Sequence, residues 1–183
     1  MGHAIQSELW RDLYLMLGTS AAALIGLLFI VSSLHLDEIV NNPAFRLRAR
    51  NNTLHLVVIF IESMLILTPQ PMPILGAELA AINLFGLLFP LSFAYRYFYK
   101  DRETGQRGGW SKYRSVIYIA GYLLGIAGSA ILIGGSNGGL YLVTASCGVL
   151  LVLIVSNVWS IMAGVGLTEK TTKTKRGTAR QVR

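Results

Sequence analysis

Five stretches of the chain are nearly unbroken runs of apolar residues: Leu13 to Leu34, Leu54 to Leu67, Ile74 to Tyr95, Val116 to Ile133 and Leu140 to Leu167. None alternates polar with apolar residues, as the strands of a membrane barrel must. Each therefore predicts a helix whose backbone groups pair internally. A hydrocarbon core of about 30 Å takes about 20 helical residues, and four of the runs reach or approach that length. The fold class that follows is all-α: a polytopic membrane protein with five transmembrane helices, near 13–34, 51–68, 73–95, 114–133 and 140–167. Residues 1–12 precede them as a separate segment, and residues 168–183 follow as a tail. The second run is short and includes His55 and Glu62, so it predicts either a full crossing or one arm of a re-entrant hairpin with the third.

Local signals sharpen the boundaries. Asn42-Pro43 is a helix start, because Asn caps well and Pro at the first helical position gives up no useful N–H. The second helix is then expected to begin near Pro43 as a basic stem with Arg46 and Arg50 on one face. Pro90 should bend the third helix. The segment "GGSNGG" permits only a tight or flexible turn. Lipid supplies no hydrophobic push between helices, so small residues that let backbones approach do much of the joining. Gly18, Ala22 and Gly26 form such a stripe on the first span, and Gly121, Gly125 and Ser129 repeat it on the fourth. On the third, Gly76 and Ala80 lead on to Asn83, Gly86 and Pro90. These stripes serve either intramolecular packing or a contact with a second copy.

Composition supports the membrane reading. Of the 183 residues 53% are hydrophobic and 14% charged, with a mean hydropathy of +0.54, against about a quarter charged in an ordinary soluble domain. Charge then orients the chain. Fifteen of the 16 Lys and Arg residues fall in the first connection (Arg46, Arg48, Arg50), the third (Arg96 to Arg114) and the tail. The segments "TPQPMP" and "GGSNGG" have none. Basic loops stay in the cytoplasm, which predicts an outside N-terminus and a cytoplasmic tail. Tyr95, Tyr97, Phe98, Tyr99, Trp110 and Tyr113 cluster where an inner aromatic belt belongs. The tail "EKTTKTKRGTARQVR" lacks apolar periodicity and is expected to be disordered. Its Lys170, Lys173, Lys175 and Arg176, with Arg46, Arg48 and Arg50, are expected to contact anionic lipid headgroups. Nucleic acid is not an expected partner.

Two carboxylates interrupt the oil. Glu62 and Glu78 each lie roughly 7 to 9 Å from the turn between the second and third runs, at 1.5 Å per residue. Measured from their own ends, Thr19 and Ser20, Ser129, and Thr144, Ser146 and Cys147 fall at a similar depth. This predicts one polar layer to which all five helices contribute. An ionised acid in hydrocarbon costs about 2.5 to 3.5 kcal/mol on insertion scales. At least one of the two acids is therefore expected to be protonated, or to meet a cation or water. The layer is either a proton- or cation-responsive site or a hydrogen-bonded lock for the bundle. A second polar set, Ser32, Ser33, His35, His55, Ser156, Asn157 and Ser160, lies toward the other face.

Other classes find little support. Cys147 is the one cysteine, which excludes an internal disulfide framework. Two histidines without a carboxylate or thiolate at ligand spacing predict no metal site, and no cofactor motif is present. The first run has no basic n-region and is too long for a cleavable signal peptide, and "MGHAIQS" departs from the myristoylation pattern at Gln6. No nucleophile has a base placed to activate it, so an enzyme is not expected. The segment "WRDLYLMLGTSAAALIGLLFIVSSL" (Trp10 to Leu34) resembles the start of a group of small bacterial inner-membrane proteins, some labelled modulators of the membrane protease FtsH. The resemblance implies an inner-membrane setting and a regulatory role. The expectation is a multi-pass inner-membrane protein acting through protein–protein contacts as regulator, scaffold or effector subunit, with another membrane protein or its own copy as partner. The alternative is a small oligomeric channel or proton-coupled transporter working at Glu62 and Glu78.

Overall fold

A computed structural model describes residues 2–34, 36, 43–99 and 109–159; side chains are described over 10–34, 46–92 (except Arg48) and 114–159, and at Leu36. The described residues are all helical apart from two short turns. Helix α1 spans Gly2–Leu34, α2 Pro43–Leu67, α3 Met72–Tyr99 and α4 Gly109–Ile133. The last, α5, covers Gly139–Trp159. Each of the five is long and apolar enough to cross a membrane. On α2 the stretch that qualifies by length and composition is Ala49–Leu67, 19 residues long. The tail, the aromatic side chains from Tyr95 to Tyr113, His35 and Ser160 lie outside the described residues.

Helix α2 begins at Pro43, as the N1 preference of proline dictates. At its other end Pro69 and Pro71 stop the helix. Thr68 closes it by donating its N–H to Met64 and Leu65 O, both at 3.1 Å, and its hydroxyl to Met64 O at 2.9 Å. The chain reverses and α3 starts at Met72, with Ile74 and Leu75 N–H both donating to Pro71 O. The reversal between α4 and α5 uses glycine. Gly135 has φ of +81°. Its N–H donates to Leu132 O at 2.8 Å and that of Ser136 to Ile131 O at 3.2 Å. This paired 5→2 and 6→1 closure requires a left-handed residue that glycine adopts without strain.

Both turns lie at one end of the bundle, called the turn end below. Cross-contacts show the up-down arrangement. Gly18 of α1 meets Ser63 of α2, Asn83 of α3 meets Gly125 of α4, and Gly121 of α4 meets Leu150 of α5. Helix α5 sits against α1, α2 and α4 at once, through Tyr14, Glu62 and Tyr118. The tightest crossings are made where no side chain intervenes. A Cβ on Gly76 would lie 2.7 Å from the Ile133 N, and one on Gly128 2.7 Å from Gly139 O. Pro90 inside α3 has no N–H to return to the Gly86 carbonyl. Gly86 itself lies close against the Tyr122 side chain.

The molecule has an apolar exterior and a partly polar interior. Phe29, Leu34 and Trp159 are each more than 70% exposed, whereas Asn52, His55, Glu62, Ser63, Asn83, Ser129 and Ser146 are buried. A soluble domain distributes these types the other way round. In lipid the inversion costs nothing outside, and inside it lets polar groups on neighbouring helices bond one another.

Candidate functional site

Helical spacing places the buried polar groups in three tiers along the bundle axis. Nearest the turn end, Tyr14 of α1 reaches across to α5. Its hydroxyl lies 2.8 Å from Thr144 Oγ1 and 3.3 Å from Leu140 O, while Thr144 Oγ1 donates to Leu140 O at 2.8 Å. Trp10 stacks over Tyr14 and meets Tyr141 edge-on, sealing this end.

The middle tier is built on Glu62. The side chain is 1% exposed. Asn83 Nδ2 of α3 donates to Glu62 Oε1 at 2.6 Å, and the Cys147 thiol of α5 donates to Oε2 at 3.1 Å. The second Asn83 Nδ2 proton goes to Leu79 O at 2.9 Å. Asn83 Oδ1 is buried and has no hydrogen-bond partner. It lies against the backbone of Gly125, where a Cβ would strike it, and the same point is 3.0 Å from Ser146 Oγ. Ser146 in turn donates to Gly121 O at 2.7 Å. Among the described residues no cationic side chain contacts Glu62.

The third tier lies two turns further along α2. His55 Nδ1 and Tyr122 Oη share a hydrogen bond of 2.6 Å. Tyr118 stacks on the imidazole with centroids 4.5 Å apart, and Phe89 meets it edge-on. Asn157 Nδ2 donates to Tyr118 Oη at 2.9 Å and to Asn52 Oδ1 at 3.1 Å. Asn52 Nδ2 is buried without a partner. Glycine at position 86 is required here, because any Cβ would enter the Tyr122 ring.

The layer expected from depth alone is thus only partly assembled. Glu62 and Cys147 meet, and Ser146 lies beside Asn83. Glu78 does not join them. It is half-buried and accepts from Gln70 Nε2 at 2.8 Å, so its partner is the turn. Thr144 serves Tyr14 instead, and Ser129 is buried but donates to Gly125 O of its own helix at 2.8 Å. Thr19 and Ser20 point outward, with Thr19 Oγ1 donating to Leu15 O. The reason is rotational. A rise of 1.5 Å per residue places a residue in depth, while the 100° turn per residue decides whether it faces in or out. In place of Glu78, α3 contributes Asn83.

The second polar set is likewise split. His55 and Asn157 are buried and bonded, whereas Ser33 is exposed and donates to Phe29 O. The partners sequence reasoning missed are Tyr118, Tyr122, Asn52 and Asn83. A signal existed, since Asn83 belongs to the small-residue face of α3, and Tyr118, Tyr122, Gly125 and Ser129 repeat at helical spacing on α4.

The small-residue stripes divide in the same way. A Cβ on Gly18 would lie 3.1 Å from Ser63 Cβ, and Gly76, Gly86, Gly121 and Gly125 each face a neighbouring helix. Ala80 is half-buried. Ala22 and Gly26 are exposed, and a Cβ at Gly26 would meet nothing within 4 Å. Arg46 and Arg50 are exposed on the stem of α2. Among the described residues no three His, Cys, Asp or Glu side chains lie together as a metal cluster. No family model, no curated protein and no solved structure matches the chain.

Proposed function

We propose that the chain is a multi-pass inner-membrane protein that works by docking another transmembrane helix, from a partner or a second copy, as a regulator, scaffold or effector subunit. The observation that carries this reading is the unfilled part of the α1 stripe. Every other packing glycine named above already has a neighbouring helix against it, whereas Ala22 and Gly26 present bare backbone outward. In lipid such a surface is where a second helix can approach closely. The likeness of Trp10 to Leu34 to modulators of a membrane protease fits a regulatory role. In this reading the N-terminus is outside, and Arg46, Arg48, Arg50 and the basic tail meet anionic headgroups on the cytoplasmic side.

The test is cross-linking in native membranes through a cysteine introduced at the stripe, Gly26→Cys, in a Cys147→Ala background. A product of twice the chain mass indicates a second copy, and a product of another mass indicates a partner. Either outcome should vanish when Ala22→Ile is added. No product of either kind overturns the proposal.

A second reading, a small oligomeric channel or proton-coupled transporter, is favoured by the buried Glu62, beside which no cationic side chain lies among the described residues. Its centre would be Glu62 with Asn83 and Cys147, rather than a pair of glutamates. Flux into liposomes that Glu62→Gln abolishes would support it, and flux indifferent to Glu62→Gln would remove it.

A further inference from the structure

Two kinds of contact hold the five helices, and they divide the bundle. Among the described residues, each glycine that closes on a neighbouring helix does so inside one of two groups. Gly18 closes α1 on α2, Gly76 and Gly86 close α3 on α4, and Gly121 and Gly128 close α4 on α5. The most extensive pairings agree, α1 lying along α2 and α3 along α4, with α2 touching α3 far more sparingly. Side-chain hydrogen bonds run mostly the other way, from one group to the other. Tyr14 meets Thr144, Glu62 takes donors from Asn83 and Cys147, His55 meets Tyr122, and Asn157 donates to Asn52. Helices α1 and α2 thus face α3, α4 and α5 across a polar seam. We propose that the bundle opens along this seam, hinged at the turn end and parting at the end where α2 begins, so that water reaches Glu62 from that end alone.

The two kinds of joint respond differently to separation. Helices in close contact at glycine are held by dispersion between backbones, which water does not replace. A hydrogen bond between side chains exchanges for bonds to water at small net cost. A plane of such bonds is therefore where two packed bodies part and close again. Two bonds named above lie inside the second group, Ser146 to Gly121 O and Asn157 to Tyr118 Oη. They tie α5 to α4, so α5 belongs with that group and moves against α1 and α2.

Chain connectivity sets the hinge, since a few loop residues absorb the backbone change when packed bodies swing. One link alone crosses from the first group to the second, the turn at 68–71, which Pro69 and Pro71 stiffen. Gln70 clamps it, donating to Leu65 O of α2 at 3.3 Å and to Glu78 of α3 at 2.8 Å. Tyr14 Oη adds Thr144 Oγ1 and Leu140 O at the same end. The opposite end is under-bonded. Asn52 Nδ2 is buried there without a partner, a cost to the closed seam that entering water removes. About 15 Å of helix separates Asn52 from Glu62, and His55 and Tyr122 make that interval polar. Ala22 and Gly26 are exposed on α1, outside the seam, so the opening needs neither docking there nor transport at Glu62.

The chain reports on the seam itself, because Cys147 is its one cysteine, is fully buried and bonds Glu62 across the seam. The measurement is the rate at which a small water-soluble methanethiosulfonate labels Cys147 in the full chain in lipid nanodiscs, well below the melting temperature. Tyr122→Phe takes the partner from His55 Nδ1, and Asn157→Leu takes the donor from Asn52 Oδ1. Each should speed labelling roughly five- to a hundredfold, the weight of one buried bond left unmade. Ser146→Ala removes a buried bond one residue from the reporter, but inside the second group, and should label at the parent rate. Tyr14→Phe, at the hinge end, should do the same. Equal acceleration in Ser146→Ala or Tyr14→Phe overturns the proposal, as does the absence of acceleration in either Tyr122→Phe or Asn157→Leu. A thiol that is never labelled overturns it too. Cross-linking at Gly26 and flux into liposomes are read separately, so each reading fails or stands on its own assay.

Discussion

Gly125→Ala adds a single methyl group at the most crowded point of the interior. The new Cβ would fall on Asn83 Oδ1, 2.7 Å from Asn83 Cγ and 3.0 Å from Ser146 Oγ. The collision is with a short side chain held at its other end by Glu62 and Leu79, so Asn83 cannot swing aside and keep both bonds. Overpacking of this kind costs about 1–3 kcal/mol. Loss of the bond to Glu62 adds about 1–3 kcal/mol, depending on whether the carboxyl is charged. The total is about 2–6 kcal/mol, against the roughly 0.5 kcal/mol scatter of substitutions that touch nothing. Gly26→Ala is the matched comparison, since its Cβ meets nothing within 4 Å. The chain supplies its own reporter, because Cys147 is its one cysteine and is fully buried. A thiol-reactive fluorogenic dye will therefore register thermal unfolding in detergent as Cys147 becomes exposed. Gly125→Ala should melt well below the parent chain and Gly26→Ala with it. Equal melting of the two variants would refute the packing of Asn83 against α4.

Tyr122→Phe removes the 2.6 Å bond to His55 Nδ1 and leaves a buried ring nitrogen unpaired; it should cost about 1–3 kcal/mol, read by the same dye. Glu78→Gln should change the melting temperature little, because Glu78 is half-buried at the turn and bonded only to Gln70. Glu62→Leu, which strands Asn83 Nδ2 and the Cys147 thiol, should lower it substantially, and the reverse order would show that the two acids have been assigned to the wrong places. A maleimide that cannot cross the membrane should label a cysteine placed at Thr178 only after the cytoplasmic side is opened. Labelling of intact cells would invert the proposed orientation.

Much of this architecture was legible along the chain. The apolar runs, the prolines at 43, 69 and 71 and the glycine turn at 134–139 located five helices and the reversals between them. Composition and the sorting of basic residues made the case for a membrane. A constant rise per residue orders the groups along each helix, and Glu62, singled out along the chain, is buried. Rotation was not legible. In a span that is apolar on every side, the face toward lipid and the face toward neighbouring helices have nearly the same hydropathy, so no periodicity reveals which is which. That is why Thr19 and Ser20 point away from the site, while Glu78 bonds Gln70 at the turn and Glu62 meets Asn83 further along α3. It also explains how Asn83, Tyr118 and Tyr122 went unpaired on paper. Only the packing of the helices, set by close approach at Gly76, Gly86, Gly125 and Gly128, selected the azimuth of each span. With it came the choice of which polar atoms meet, and which one, Asn83 Oδ1, waits without a donor.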